Sequence, residues 1–326
     1  MAPVAQAAAA ASPWTWSPHL DVWLLIALLS VGYLAALRWL APVGRQPIDG
    51  GRSAGSQPID GDGSAEPPNE RPVIPAATAR QKTLFFLGVG TVWVGSDWPM
   101  HDLAEGYLYS AHMIQHMLFT FVAPPLLLSG TPKWLLRRLL APPKVMALMR
   151  LLTKPLVALL MFNALVALTH WPALVDASLR SDPLHFSLHT VLFVSAGLMW
   201  WPVIGPLPEM PRLSDPAKLL YLFGQSILPT VPASFLTFAS RPIYEFYETV
   251  PRLWGLSALT DQLIAGLIMK IGGGLLLWSV IAVIFFRWHA REESEVVDEL
   301  SWDDFESELQ VLGLRNSHIE DGGTQT

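Results

Sequence analysis

Residues 108–130 read LYSAHMIQHMLFTFVAPPLLLSG, an apolar run broken by two histidines, His112 and His116, on a helical i,i+4 spacing. About 20 apolar residues carry a helix across the hydrocarbon of a bilayer. Ionisable side chains within such a span face a bundle interior or a water-filled cavity, because lipid cannot solvate them. The stretch therefore predicts a transmembrane helix with a protein-facing polar stripe. Similar runs recur at roughly 20–41, 83–98, 155–175, 185–205, 218–239 and 261–286. The expected fold is thus all-α, a polytopic membrane helical bundle of seven transmembrane helices. The run at 83–98 is short and carries Gly88, Gly90 and Gly95. Pro124–Pro125, and Pro229 with Pro232, are expected to kink or break their helices, which membrane bundles tolerate where neighbouring protein satisfies the freed carbonyls.

Composition agrees. Of 326 residues, 52% are hydrophobic and only 15% charged, against about 25% charged in an average soluble domain. The net charge of -6 comes from acidic residues gathered near the C-terminus, and nothing in it suggests a nucleic-acid partner. The chain has no cysteine, which excludes disulfides, zinc ribbons, iron–sulfur clusters and thiol catalysis, and leaves His and Met to supply any soft metal coordination. The N-terminus lacks a basic n-region, so the first apolar run reads as retained rather than cleaved.

Lys and Arg set the expected orientation. Arg38 to Lys82 follow the first run, Lys133 to Lys154 follow the third, Arg212 and Lys218 follow the fifth, and Arg287, Arg291 and Arg315 follow the last. The opposite side has only Arg180, Arg241 and Arg252. The N-terminus is therefore expected outside and the C-terminus in the cytoplasm, in a bacterial plasma (inner) membrane. The chain divides into a first transmembrane helix with its outer N-terminus (1–42), a cytoplasmic linker (43–80), a six-helix membrane core (81–286) and an acidic cytoplasmic tail (287–326). The linker repeats Gln-Pro-Ile-Asp-Gly at 46–50 and 57–61 and is too polar to bury a core, so disorder is expected. In the tail, Val297, Leu300, Phe305, Leu309 and Leu312 recur at near-helical spacing, as in a solvated amphipathic helix or a docking segment.

The histidines carry the chemistry. His112 and His116 share one helix face, His185 and His189 repeat the spacing two spans later, and His170 closes the span between. On the expected topology all five lie at the outer level, with His101 in the preceding loop. Singly, each reads as a hydrogen-bonded interfacial histidine; together they read as a metal site. Met113 and Met117 interleave with the first pair and Met100 precedes His101. Thioether beside imidazole favours copper, although methionine also fills apolar bundles. Asp97, Asp102, Asp176, Asp182 and Asp261 are available to hold imidazole tautomers or to cap helices. Zinc proteolysis fits badly, since position 113 is Met and no Glu adjoins either pair. Lys270 sits mid-span, where a cation costs roughly 2.5–3.5 kcal/mol on insertion scales, and Asp261 lies on the opposite face of its helix.

Ala111-His-Met-Ile-Gln-His-Met-Leu118 followed by Ala123-Pro-Pro-Leu-Leu-Leu-Ser-Gly-Thr-Pro132 resembles the signature of CtaG-type cytochrome c oxidase assembly factors. The resemblance extends through Thr169-His-Trp-Pro172, Leu184 to His189, Trp200-Trp-Pro202 and Asp261-Gln-Leu-Ile-Ala-Gly266, covering about residues 80–286. It implies a seven-span integral membrane protein, not an enzyme, that helps place copper in a haem–copper oxidase. Carried over by matching, His112, His116, His170, His185 and His189 are the copper residues. The implied partners are the oxidase subunits, other copper chaperones and the lipid bilayer. Where Lys270 stands, Trp is common in the family. The competing readings of the same histidines are a haem-binding membrane cytochrome, and a metal transporter with Lys270, Gln225 and Asn163 along its path.

Overall fold

The computed structural model of the chain describes residues 14–41, 76–299, 305 and 307–309, and among these there is no β-strand. The linker and tail expected at 43–80 and 287–326 lie largely outside the described residues. The helices are α1 (Leu20–Ala35), α2 (Ala79–Ser96), α3 (Met100–Gly106), α4 (Tyr109–Met117), α5 (Ala123–Gly130), α6 (Lys133–Leu139), α7 (Pro143–Leu152), α8 (Pro155–Thr169), α9 (Pro172–Ser178), α10 (Asp182–Ile204), α11 (Asp215–Ile227), α12 (Thr230–Phe238), α13 (Glu245–Thr249), α14 (Ala258–Leu267) and α15 (Gly273–Glu299). Three π-helical turns, Ala36–Leu40, Leu118–Val122 and Ile268–Gly272, extend α1 and join α4 to α5 and α14 to α15.

Among the described residues, five helical stretches are long and apolar enough to cross a membrane: Leu20–Leu40, Tyr109–Gly130, Asp182–Ile204, Asp215–Phe238 and Ala258–Glu293. A sixth arises if α7 and α8, bent by 77°, form one broken span. The run expected at 83–98 is the 18-residue α2, whose first turn is diluted by Arg80, Gln81 and Lys82. The run expected at 155–175 ends early, because α8 stops at Thr169 and Pro172 opens a new helix. The two histidine-bearing spans are central. Of their apolar windows, 44% (Tyr109–Gly130) and 50% (Asp182–Ile204) are buried inside the protein, against 6% for Leu20–Leu40.

Pro124 and Pro125 do not break their span as expected. They cannot donate to the carbonyls one turn back, and the chain absorbs the loss with the π-turn at Leu118–Val122, so that Tyr109–Gly130 continues as one helix. The Thr120 carbonyl, freed by Pro124, accepts the Trp200 indole N–H at 2.9 Å. A helix–helix contact thereby replaces a lost rung of the ladder. Pro229 falls at the junction of α11 and α12, which together still make one membrane-length stretch, Asp215–Phe238.

Close approach of α2 and α5 is set by small residues, as membrane helices require. A Cβ on Gly130 would overlap the Phe85 backbone, whereas one on Gly90 would meet nothing within 4 Å. The same point anchors α1: the Tyr33 hydroxyl donates to the Gly130 carbonyl at 2.9 Å, and its ring stacks on Phe85 with centroids 3.7 Å apart. Gly130→Ala should therefore cost about 1–3 kcal/mol as helices are forced apart. It should lower the thermal midpoint in detergent, while Gly90→Ala leaves it unchanged or slightly raised. Equal midpoints for the two variants would contradict this packing.

Candidate metal centre

The site begins at an N-terminus that cannot cap itself. Leu108 precedes α4 and offers no side-chain acceptor. Asp261, 1% exposed on α14, supplies one from across the bundle, accepting from the Tyr109 N–H at 2.7 Å and the Ser110 N–H at 3.1 Å. Gln115 ties the same helix to the end of α2, donating to the Gly95 carbonyl at 2.6 Å. With α4 held at both ends, His112 and His116 project together and their Nε2 atoms lie 2.9 Å apart.

Helix α10 brings the second pair to the first. His185 and His189 stack with ring centroids 4.4 Å apart. His189 lies 5.2 Å from His112 and 4.9 Å from His116, centroid to centroid, and His185 lies 5.5 Å from His112. His170, at the end of α8, stands edge-on to His116 at 5.4 Å. Ligand nitrogens of His112, His116 and His189 all fall within 4.8 Å of one another. Metal–nitrogen bonds of about 2.0–2.1 Å at tetrahedral angles need nitrogens roughly 3.3 Å apart, so small side-chain rotations bring this triad to a common ion. His112, His116 and His170 are buried, and His112 Nδ1 has no protein hydrogen-bond partner.

The triad contains no anion. Beside it stands Glu105 on α3, which accepts from His185 Nε2 at 2.9 Å and lies 3.3 Å from His101 Nδ1. Burial alone would raise its pKa, but the hydrogen bond from His185 and the flanking imidazoles hold the carboxyl well below its usual range. His101 is in turn 4.7 Å from the His19 ring, and His19 pairs with Asp102 at 3.0 Å. A string of His and carboxylate side chains thus leads from the triad to the end of α1.

Of the residues expected as ligands, the five histidines of the spans meet. His101 stands one carboxylate away. Met117 lines a small cavity beside His116 and His170. Met113 is elsewhere, in the apolar core with Phe162 and Leu192. Although it adjoins His112 in sequence, its side chain packs away from the cluster, 1% exposed. Glu105 and His19 were not expected. The i,i+4 spacing of His101 and Glu105 was a visible signal; the reach from Glu105 to His185 was not. The absence of a neighbouring Glu in sequence therefore does not hold in space. None of the five expected aspartates reaches the triad through a described hydrogen bond. Asp97 accepts from the indoles of Trp23 and Trp93, Asp176 from the Phe246 N–H, and Asp102 pairs with His19 and Ser17. Lys270 lies in the third π-turn with Nζ 5.5 Å from the centre of the Phe238 ring, a cation–π arrangement.

Asp261→Ala removes two buried acceptors at once, and a lost cap plus orphaned N–H groups costs about 1–3 kcal/mol. The thermal midpoint should fall, and metal retention should weaken although no imidazole has changed. Unaltered retention in a destabilised variant would mean that the cap does not position His112.

The family model described as cytochrome c oxidase caa3 assembly factor (Caa3_CtaG) matches residues 69–291. Two curated relatives, the uncharacterized proteins Mb0105 of Mycobacterium bovis and MT0111 of Mycobacterium tuberculosis, are each 26% identical over 215 residues. The match covers 58% of this chain and 31% of each relative, so the chain spans about a third of their length. No solved structure matches.

Proposed function

From a chain that belongs to the cytochrome c oxidase caa3 assembly factor family, we propose a protein that binds copper at its histidine cluster and helps form the copper centres of a haem–copper oxidase. The observation that carries this reading is the convergence of His112, His116 and His189 from two different helices, with His185 and His170 against them. Imidazole is a ligand for copper, and a site without thiolate releases its metal more readily, as a donor must. His112, His116 and His189 are the ligands. His170, His185 and Met117 flank them, and His101 is joined to them through Glu105.

The protein acts as a carrier of metal and not as an enzyme, with copper as its cargo and the oxidase subunits as its recipients. Other copper chaperones are its suppliers. It sits in the bacterial plasma membrane as a seven-span bundle, with α2 and the α7–α8 pair completing the five longer helices. The Lys and Arg distribution supports an external N-terminus and a cytoplasmic C-terminus, which puts the histidine end outside. The linker at 43–80 and the tail at 287–326 are the cytoplasmic parts, flanking a membrane core at 81–286. The haem alternative is disfavoured by packing. The imidazoles lie ring against ring, and the adjoining cavity of about 30 Å³ is far below the roughly 300–1,000 Å³ of pockets that enclose larger ligands.

Cells carrying His112→Ala with His116→Ala should insert the protein normally yet accumulate oxidase deficient in copper. Membrane abundance of the variant and the copper content and activity of purified oxidase are the measurements. Wild-type oxidase in that strain would defeat the proposal.

A further inference from the structure

A cavity of about 30 Å³ lies deeper along the bundle than the triad, walled by His116, His170, Met117, Met269 and Gln225. It is large enough for one ion or one water. Its chemistry is set by His170. The Nδ1 of that ring is 2.7 Å from the Val166 carbonyl, an acceptor, so Nδ1 carries the proton and Nε2 the lone pair. Nε2 is buried with no protein hydrogen-bond partner. A backbone carbonyl holding one imidazole nitrogen so that the other is free to ligate is the arrangement found behind metal-bound histidines.

Met117 follows His116 and turns into the same space, and its sulfur lies 3.3 Å from where a Cβ on Gly273 would stand. Glycine at 273 thus keeps room for the thioether. Across the cavity, Asn163 donates to Gln225 Oε1 at 2.6 Å and Gln225 Nε2 donates to the Tyr221 hydroxyl at 3.2 Å, while Asn163 Oδ1 is buried without a protein partner. No charged side chain lines the wall.

We propose that this cavity is a second, deeper metal position, in which Cu(I) is held by His170 Nε2 and Met117 Sδ, with His116 shared between it and the triad. The inference rests on the copper reading of the triad and adds an oxidation state and a second station. Every available ligand is neutral, so the ion's charge is not cancelled there. The penalty for burying an uncancelled charge is severe and rises with the square of that charge, which favours the monovalent ion. Thioether selects the same ion. Because His116 serves both positions, rotation of one imidazole moves the metal between them without release to solvent.

The test is anaerobic Cu(I) loading of the purified full chain in detergent, read by stoichiometry against a chromophoric Cu(I) chelator and by X-ray absorption. His112→Ala with His189→Ala should still retain Cu(I), now with a sulfur in its shell. Adding Met117→Leu should remove the sulfur and weaken retention at least tenfold. Gly273→Ala, which keeps every donor but crowds the thioether, should weaken it in the same direction. Nitrogen-only scattering in wild type, unchanged by Met117→Leu, would overturn the second position and leave the triad standing, the cavity then holding water. Absence of any Cu(I) uptake by the wild type would overturn the copper reading itself, and this inference with it.

Discussion

The carboxylate of Asp261 against the first two N–H groups of α4 is the contact on which the rest depends. A helix that starts inside a protein leaves its first amides without partners, and neither lipid nor Leu108 can supply them. Asp261 does so from another helix, and in doing so sets the axial height and rotation of α4. His112 and His116 follow from that placement, and the cluster follows from them. The same charge, buried and doubly hydrogen-bonded, complements the positive end of the helix dipole.

Elsewhere the bundle meets the same demand by other means. Where Pro124 removes a rung, a π-turn and the Trp200 indole recover it. Where α8 ends, the Tyr244 hydroxyl donates to the His170 carbonyl at 3.0 Å, and the Tyr247 hydroxyl reaches the Ala104 carbonyl at 2.8 Å. These tyrosines, from the segment around α13, fasten the loops at the histidine end. That end is consequently rigid on several sides, which is what a set of imidazoles needs if it is to grip an ion without long rearrangement.

Electrostatically, the Glu105 carboxylate stands beside the triad rather than within it. Glu105 touches His185 and His101 but none of the triad nitrogens through a described contact. A carboxylate on the ion itself would tighten binding and slow release. One ring removed, it polarises the cluster through His185. The string from His19 through His101 and Glu105 gives the cluster a polar connection to the protein's periphery, while the cavity beyond His116 gives it an inner neighbour.

Helix content, the positions of the main apolar runs, the paired histidines and the family signature were all legible along the chain. Each depends on neighbours within one or two turns, or on composition. Helix continuity through Pro124–Pro125 was not, because the compensating donor, Trp200, is distant in sequence. The true extents of α2 and α8 were also hidden, since an apolar count does not see a polar first turn or an early cap. In the site, the i,i+4 spacing by itself assigned both histidine pairs to shared faces. It could not assign Met113 to the core, nor join Glu105 to His185, nor separate the triad from the His170–Met117 cavity. Those outcomes turn on the rotation and height of one helix against another, which arise from long-range contacts such as Asp261 with Tyr109. Local periodicity determines which residues share a face; only tertiary packing decides what that face meets.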